Sequence, residues 1–427
     1  MKLDHKRTLY VGLAFFSICA FWQVYDSIIP LILKESFHIS DTLSGVIMAL
    51  DNILALFLLP FFGALSDKTH TRLGRRMPYI IIGTLSAAVF MNLIPLTAQW
   101  GTVVWFMIAL CLVLCSMSIY RSPAVALMPD VTPKPLRSRG NAIINLMGAV
   151  GGILSLGLIA ILVPKTDHPS YTLLFLCVSV IMVLSLLVML RKINEPQLVV
   201  QMHRESGEEP LENPTSAPVS APLPKGVKRS LILILLSVAL WYMGYNAVTT
   251  AFSKYARFYW GLEGGLFAYT LIIAQIAAIL SYIPAGLLAS KFGRKKTILL
   301  GVAFLALAFG AAFLFKTFSA LIFVFFALAG VGWATINVNS YPMVVEMSQG
   351  ADVGKYTGYY YTFSMAAQVI TPMLSGFFLE HVGYGTLFPY ATLFVILSFI
   401  TMCFVKHGDN RPDAPQSNLE AFNAMED

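Results

Sequence analysis

Three ionisable side chains lie inside long apolar runs of this sequence. Asp26 falls in "FWQVYDSIIP", Asp51 in "ALDNILALFLLPFFGALSD" and Arg121 in "SMSIYRSPAV". Burying an isolated charge costs several kcal/mol, so such groups line a water-filled cavity or pair with one another. Two carboxylates held close together resist being ionised at once, so a pair of this kind shares a proton or binds a cation. Asp26 and Asp51 are therefore the candidate cation-coupling residues. The plain alternative is structural, with either acid paired to Arg121. Arg121 itself reads equally as a substrate contact or as that counter-ion. Trp22 stands four residues before Asp26, on the same helical face, and is a candidate stacking platform.

The elements that carry these residues follow from composition. The 427-residue chain is 57% hydrophobic and 12% charged, against about 25% charged in a typical soluble domain. Twelve apolar segments recur, at approximately 8–33, 43–65, 79–97, 102–128, 140–163, 171–190, 229–255, 263–289, 297–315, 319–345, 356–379 and 385–405. Each is near the ~20 residues that a spanning helix needs. The first is too long for a cleaved signal peptide and lacks a small-residue cleavage pattern. With the amino terminus in the cytoplasm, inner pieces hold 23 Lys and Arg. Outer loops hold four, namely Lys34, Lys165, Arg257 and Lys316, and Arg121 and Lys254 fall inside segments. That asymmetry predicts cytoplasmic termini and a multi-pass plasma-membrane protein. It also accounts for the net charge of +7 without nucleic acid. In this arrangement the first segment runs outward and the second inward, so Asp26 and Asp51 both fall roughly 5–10 Å outside the midplane.

Residues 191–228, rich in Pro, Glu and Ser, read as a mostly flexible cytoplasmic linker. The expected organisation is a six-helix bundle over 1–190, the linker, a second bundle over 229–405 and a cytoplasmic tail over 406–427. The two halves repeat. "GALSDK" at residue 63 and "GLLASK" at residue 286 lie 223 residues apart, and Asp130 and Glu346 lie 216 apart. The offset of 216 also superposes Asn141, Asn145, Gly148, Gly152 and Ser155 on Thr357, Tyr361, Ser364, Gln368 and Thr371, two polar stripes at helical spacing. Under these offsets Asp26 aligns with Thr249, Asp51 with Ala274, Asn52 with Gln275 and Arg121 with Asn337. Charge thus lies in the first half and amides in the second. This predicts cation handling by the first half and substrate contacts from both.

Tyr242, Asn246, Thr249 and Ser253 make a polar face on the seventh segment, flanked by Trp241 and Tyr245. Amides and hydroxyls bond sugar hydroxyls, and aromatic rings stack on the apolar sugar face. The candidate substrate-binding set is Trp22, Arg121, Tyr242, Asn246, Gln275, Asn337 and Gln368. The competing reading is interhelical hydrogen bonding and packing. Other chemistries find no support. GxxxxGK[ST], HExxH and GxSxG are absent, and the five cysteines show no CxxC spacing. The seven histidines fall in predicted loops, tails or helix ends. No catalytic site, metal site or cofactor is expected beyond a coupling ion, H⁺ or Na⁺.

The basic loops "GALSDKTHTRLGRR" (63–76) and "GLLASKFGRKK" (286–296) resemble the signature loop of the major facilitator superfamily, G-x-x-x-D-[RK]-x-G-R-[RK]. The first carries four extra residues before Gly74, and the second has Ser290 in place of the acid. With "YRSPAVALMPDVTPKPLRSRGNAI" (120–143), the chain looks like the glycoside–pentoside–hexuronide and sucrose–proton symporter branch. The resemblance implies an all-α fold of twelve transmembrane helices in two pseudo-symmetric six-helix bundles. It implies alternating access, a central sugar cavity and coupling to H⁺ or Na⁺. By the same resemblance, Gly63, Asp67, Arg75, Arg76, Asp130, Gly286, Arg294 and Glu346 belong to an inner gate. The expected partners are a small-molecule substrate, a sugar, and the lipid bilayer. Alternatives are an efflux antiporter for amphipathic compounds and a transporter-like membrane receptor.

Overall fold

The computed structural model describes residues 4–133, 136–166, 169–206, 224–348 and 353–409. Thirteen α-helices are present among them. They are α1 (His5–Glu35), α2 (Asp41–Asp67), α3 (Met77–Gln99), α4 (Val103–Val131), α5 (Arg137–Leu162), α6 (Thr172–Lys192), α7 (Glu195–Ser206), α8 (Lys225–Phe258), α9 (Ala268–Phe292), α10 (Arg294–Phe313), α11 (Ile322–Val345), α12 (Val353–His381) and α13 (Leu387–Cys403). Twelve helices among the described residues are long and apolar enough to cross a membrane. The short α7 is the exception.

Helices are the solution because hydrocarbon offers no partner to backbone N–H and C=O groups, so each span must satisfy its own. Prolines are tolerated inside several of them, such as Pro30, Pro60 and Pro284. Apolar side chains such as Phe57, Val89, Leu280 and Leu307 are exposed on these helices.

The chain divides into two compact units. The first comprises Met1–Ile39, Leu50–Asn213 and Glu263–Leu266; the second comprises Ser40–Ala49, Pro214–Leu262 and Phe267–Asp427. In the first unit α1 packs along α5, and α3 packs on α4 and α6. A Cβ on Gly151 would fall on the Phe16 carbonyl, so that glycine lets the α1 and α5 backbones touch. In the second unit α11 packs between α9 and α10, and α8 packs on α12 and α13. Gly330 does for α9 and α11 what Gly151 does for α1 and α5, since its Cβ would fall on the Ala274 carbonyl. Close backbone approach through small residues is how helices associate where lipid supplies no hydrophobic drive.

Two observations differ from the sequence reading. The stretch expected as a flexible linker over 191–228 holds the last two residues of α6 and the helix α7, and ends inside α8, which begins at Lys225 rather than at residue 229. The divide between units also does not fall only in that stretch. It cuts α2, whose first residues up to Ala49 belong to the second unit.

Candidate functional site

In the first unit α1 presents Trp22, Tyr25 and Asp26, α2 presents Asp51 and Asn52, and α4 presents Arg121. The Arg121 guanidinium carbon lies 5.8 Å from the Trp22 ring centroid, within the range of a cation–π contact. Trp22 meets Tyr25 edge-on at 5.2 Å and Phe21 at 5.2 Å, which fixes its plane. Asp26 lies within electrostatic reach of Asp51, and Asp51 within that of Arg121. The amide of Asn52 donates from Nδ2 to Asp51 Oδ1 at 2.8 Å. The structure thus brings Asp26, Asp51, Arg121 and Trp22 into one constellation. Two buried polar atoms of the same constellation, Trp22 Nε1 and the Tyr25 hydroxyl, have no hydrogen-bond partner among the described residues. Arg121 is exposed, so open space reaches this group from one side.

The expected polar stripe of α5 is in part a packing face. Ser155 Oγ donates to the Ala20 carbonyl at 2.9 Å, and a Cβ on Gly148 would lie 2.8 Å from Cys19 Sγ. Asn145 is buried on that stripe, and both its amide atoms lack partners among the described residues.

In the second unit the polar face of α8 meets α11 and α12. Trp333 stacks on Tyr245 at 3.6 Å with the rings 4° from parallel, and Tyr242 meets it edge-on at 5.2 Å. Asn337 follows Trp333 by one helical turn and is half-buried. Asn246 Nδ2 donates to the Gln368 carbonyl at 3.3 Å, and Thr249 Oγ1 donates to Asn246 Oδ1 at 3.3 Å. Asn246 therefore ties α8 to α12. The Gln368 side chain donates within its own helix, to the Ser364 carbonyl at 3.4 Å. Gln275 on α9 is half-buried. Trp241 is fully buried in the core. Trp333, the ring that joins Tyr242 and Tyr245 on this face, is one the sequence reading did not single out.

The basic loops build one charge cluster in each unit. Arg76 pairs with Asp67 and, through Nε, with Asp130 Oδ2 at 2.8 Å, while Arg75 Nη2 meets Asp130 Oδ1 at 2.6 Å. Arg76 Nη1 also donates to the Gly63 carbonyl at 3.4 Å. In the second unit Arg294 meets Glu346 at 2.7 Å. Ser290, at the acid's position, donates to the Gly286 carbonyl of its own helix at 3.1 Å. Among the described residues, Arg294 thus meets one acid, Glu346, and Arg76 meets two, Asp67 and Asp130.

Three further residues, Glu195, Asp41 and Lys254, gain a role from the structure. Glu195, the first residue of α7, is buried and accepts the backbone N–H groups of Arg75 (2.8 Å), Arg76 (3.0 Å) and Met77 (2.9 Å). It is a carboxylate placed on the N-terminus of α3, where the unpaired N–H groups and the helix dipole favour negative charge. Gly74 makes room for it. Its φ of +111° suits glycine, and a Cβ there would fall on the Glu195 carboxylate. In the second unit Lys254 Nζ meets Asp41 Oδ1 at 2.7 Å, and both side chains are buried. Tyr384 donates to both Asp41 oxygens at 3.1 Å, and Lys254 also reaches Ser44 Oγ at 3.3 Å. The space left beside this pair is only about 10 Å³. Lys254 was visible as a charge inside an apolar segment, but Asp41, at a segment edge, carried no such signal.

The sequence profile of the Major Facilitator Superfamily matches residues 11–281 and, overlapping it, 234–424. The chain belongs to the Major Facilitator Superfamily. Its relatives and structural neighbours are transporters. It is 30% identical over 250 residues to an uncharacterized symporter of Synechocystis sp., covering 55% of this chain and 43% of that protein. It is 27% identical over 139 residues to a sucrose transport protein of Arabidopsis thaliana, covering 28% and 23%. It is 23% identical over 282 residues to the isoprimeverose transporter of Lactiplantibacillus pentosus, covering 63% and 56%. The matches span about half or less of the length of those relatives. Among solved structures, the nucleoside transporter NupG superposes with a TM-score of 0.70 at 12% identity, over 94% of this chain and all of that one. A bacterial homologue of the iron transporter ferroportin gives 0.68 at 12% identity, over 95% and 100%. These two show the fold alone. With its twelve apolar helices of spanning length among the described residues, this superfamily member is a multi-pass membrane protein.

Proposed function

We propose that this transporter couples uptake of a sugar, of glycoside or disaccharide type, to entry of H⁺ or Na⁺ by alternating access, with both termini cytoplasmic. The constellation of Asp26, Asp51, Arg121 and Trp22 carries this reading. Two carboxylates within electrostatic reach suit a monovalent cation, a guanidinium donates to hydroxyls, and an indole stacks on the apolar face of a sugar ring. The aromatic and amide groups around Trp333, Tyr242 and Asn246 are of the same carbohydrate-suited kind. Sugar transport by two of the relatives points the same way. Binding the cation at Asp51 lowers the charge that must cross with the loaded carrier, and Asp26 shares that cation. The Arg76–Asp67–Asp130 and Arg294–Glu346 clusters act as the inner latch of each unit.

The test is labelled-sugar uptake into vesicles holding the purified protein, with a sugar panel and an imposed pH or Na⁺ gradient. The expected outcome is accumulation driven by one gradient. Asp51→Asn abolishes that accumulation and retains downhill exchange. Accumulation at the wild-type level by Asp51→Asn removes that residue from coupling, and accumulation of no sugar by the wild type refutes the substrate class.

A further inference from the structure

The start of α8 presents a stripe of exposed residues at steps of 3, 1, 3 and 4, namely Lys225, Lys228, Arg229, Ile232 and Leu236. Such steps place all five on one helical face. The three cations occupy the first turn and a half, and the apolar side chains begin directly after them. A recess of about 310 Å³ lies against Lys225, Lys228, Arg229, Ile232 and Leu233. The helix begins after Pro224 with no side chain capping it, so the first N–H groups and the positive end of the helix dipole add to the cations.

A second element completes the corner. The chain leaving α13 folds onto the same turn. Lys406 donates its backbone N–H to Ser230 Oγ at 3.2 Å, and His407 Nδ1 lies 2.8 Å from the same hydroxyl. The side chains of Lys406 and His407 are exposed. Phe404, 60% exposed, extends the apolar surface beside them. The neighbouring carboxylate is already engaged, because Asp409 Oδ1 accepts the Lys295 N–H at 2.9 Å at the start of α10.

We propose that this corner binds the phosphate headgroup of an anionic phospholipid. Lys225, Lys228, Arg229 and Lys406 hold the phosphate, and the acyl chains lie along Ile232, Leu236 and Phe404. A lipid is favoured over free phosphate because the cationic turn runs without a break into apolar side chains facing outward. The site is independent of the transported substrate and of the coupling ion.

The experiment is native mass spectrometry of the full chain released from detergent, titrated with phosphatidylglycerol, phosphatidylcholine and, separately, inorganic phosphate. The expected result is preferential retention of phosphatidylglycerol, weakened about fivefold for each lysine removed in Lys225→Gln/Lys228→Gln. Two comparisons guard against misfolding or a bulk charge effect. Lys225→Arg/Lys228→Arg retains binding, and Lys165→Gln/Lys316→Gln, with the same loss of charge elsewhere, leaves it unchanged. Equal retention of the two lipids by the wild type overturns the proposal. So does undiminished phosphatidylglycerol binding by Lys225→Gln/Lys228→Gln, or displacement of the lipid by millimolar phosphate.

Discussion

At the scale of residues, the charges in apolar runs were legible because the physics that makes them costly also makes them rare. Asp26, Asp51 and Arg121 each stand out against their neighbours, and the structure brings them together with Trp22. The aromatic residues were less legible. Sequence gives Trp241 and Trp333 the same apolar setting, yet one is core and the other stacks on Tyr245. Only the direction in which each ring leaves its helix separates them. In the proposed sugar transport Trp333→Ala removes one ring of that aromatic face, and an aromatic contact is worth about 0.5–1.5 kcal/mol. The expected outcome is a several-fold rise in KM for sugar uptake with little change in kcat, while Trp333→Phe stays near the wild type. An unchanged KM for the alanine variant would show that Trp333 only packs.

At the scale of elements, the spans follow from apolar length, and the repeat follows from offsets of 223 and 216 residues. The start of α3 is different. Its N-terminus is satisfied by Glu195, more than a hundred residues further along the chain, in a stretch whose composition reads as linker. No local capping pattern marks it. Glu195→Leu leaves three backbone N–H groups without that acceptor, and an unsatisfied buried donor costs about 1–3 kcal/mol. Thermal unfolding is expected to fall by several degrees, with Glu195→Gln intermediate because the amide still accepts but carries no charge for the helix end. Gly74→Ala should have a similar effect, since its Cβ would fall on that carboxylate.

At the scale of the whole molecule, α2 contributes to both compact units, and Asp41 at its start pairs with Lys254. Removing one member of a buried ion pair leaves a stranded charge and costs about 3–5 kcal/mol, whereas replacing both with apolar groups is often neutral. Lys254→Met and Asp41→Leu are each expected to lower the unfolding temperature strongly, and the double variant to recover most of the loss. Additive losses in the double variant would show that the two side chains do not act as a pair. By itself the sequence determined the membrane-spanning helices, their number, the internal repeat and the acids that needed a reason to be there. Each of these is written in local composition or in a fixed spacing. The tertiary structure alone decided which partner each charge has. The sequence separations of 213 from Asp41 to Lys254 and of 120 from Arg75 to Glu195 follow no period. Such pairs exist only because packed helices bring one buried charge to another group able to satisfy it.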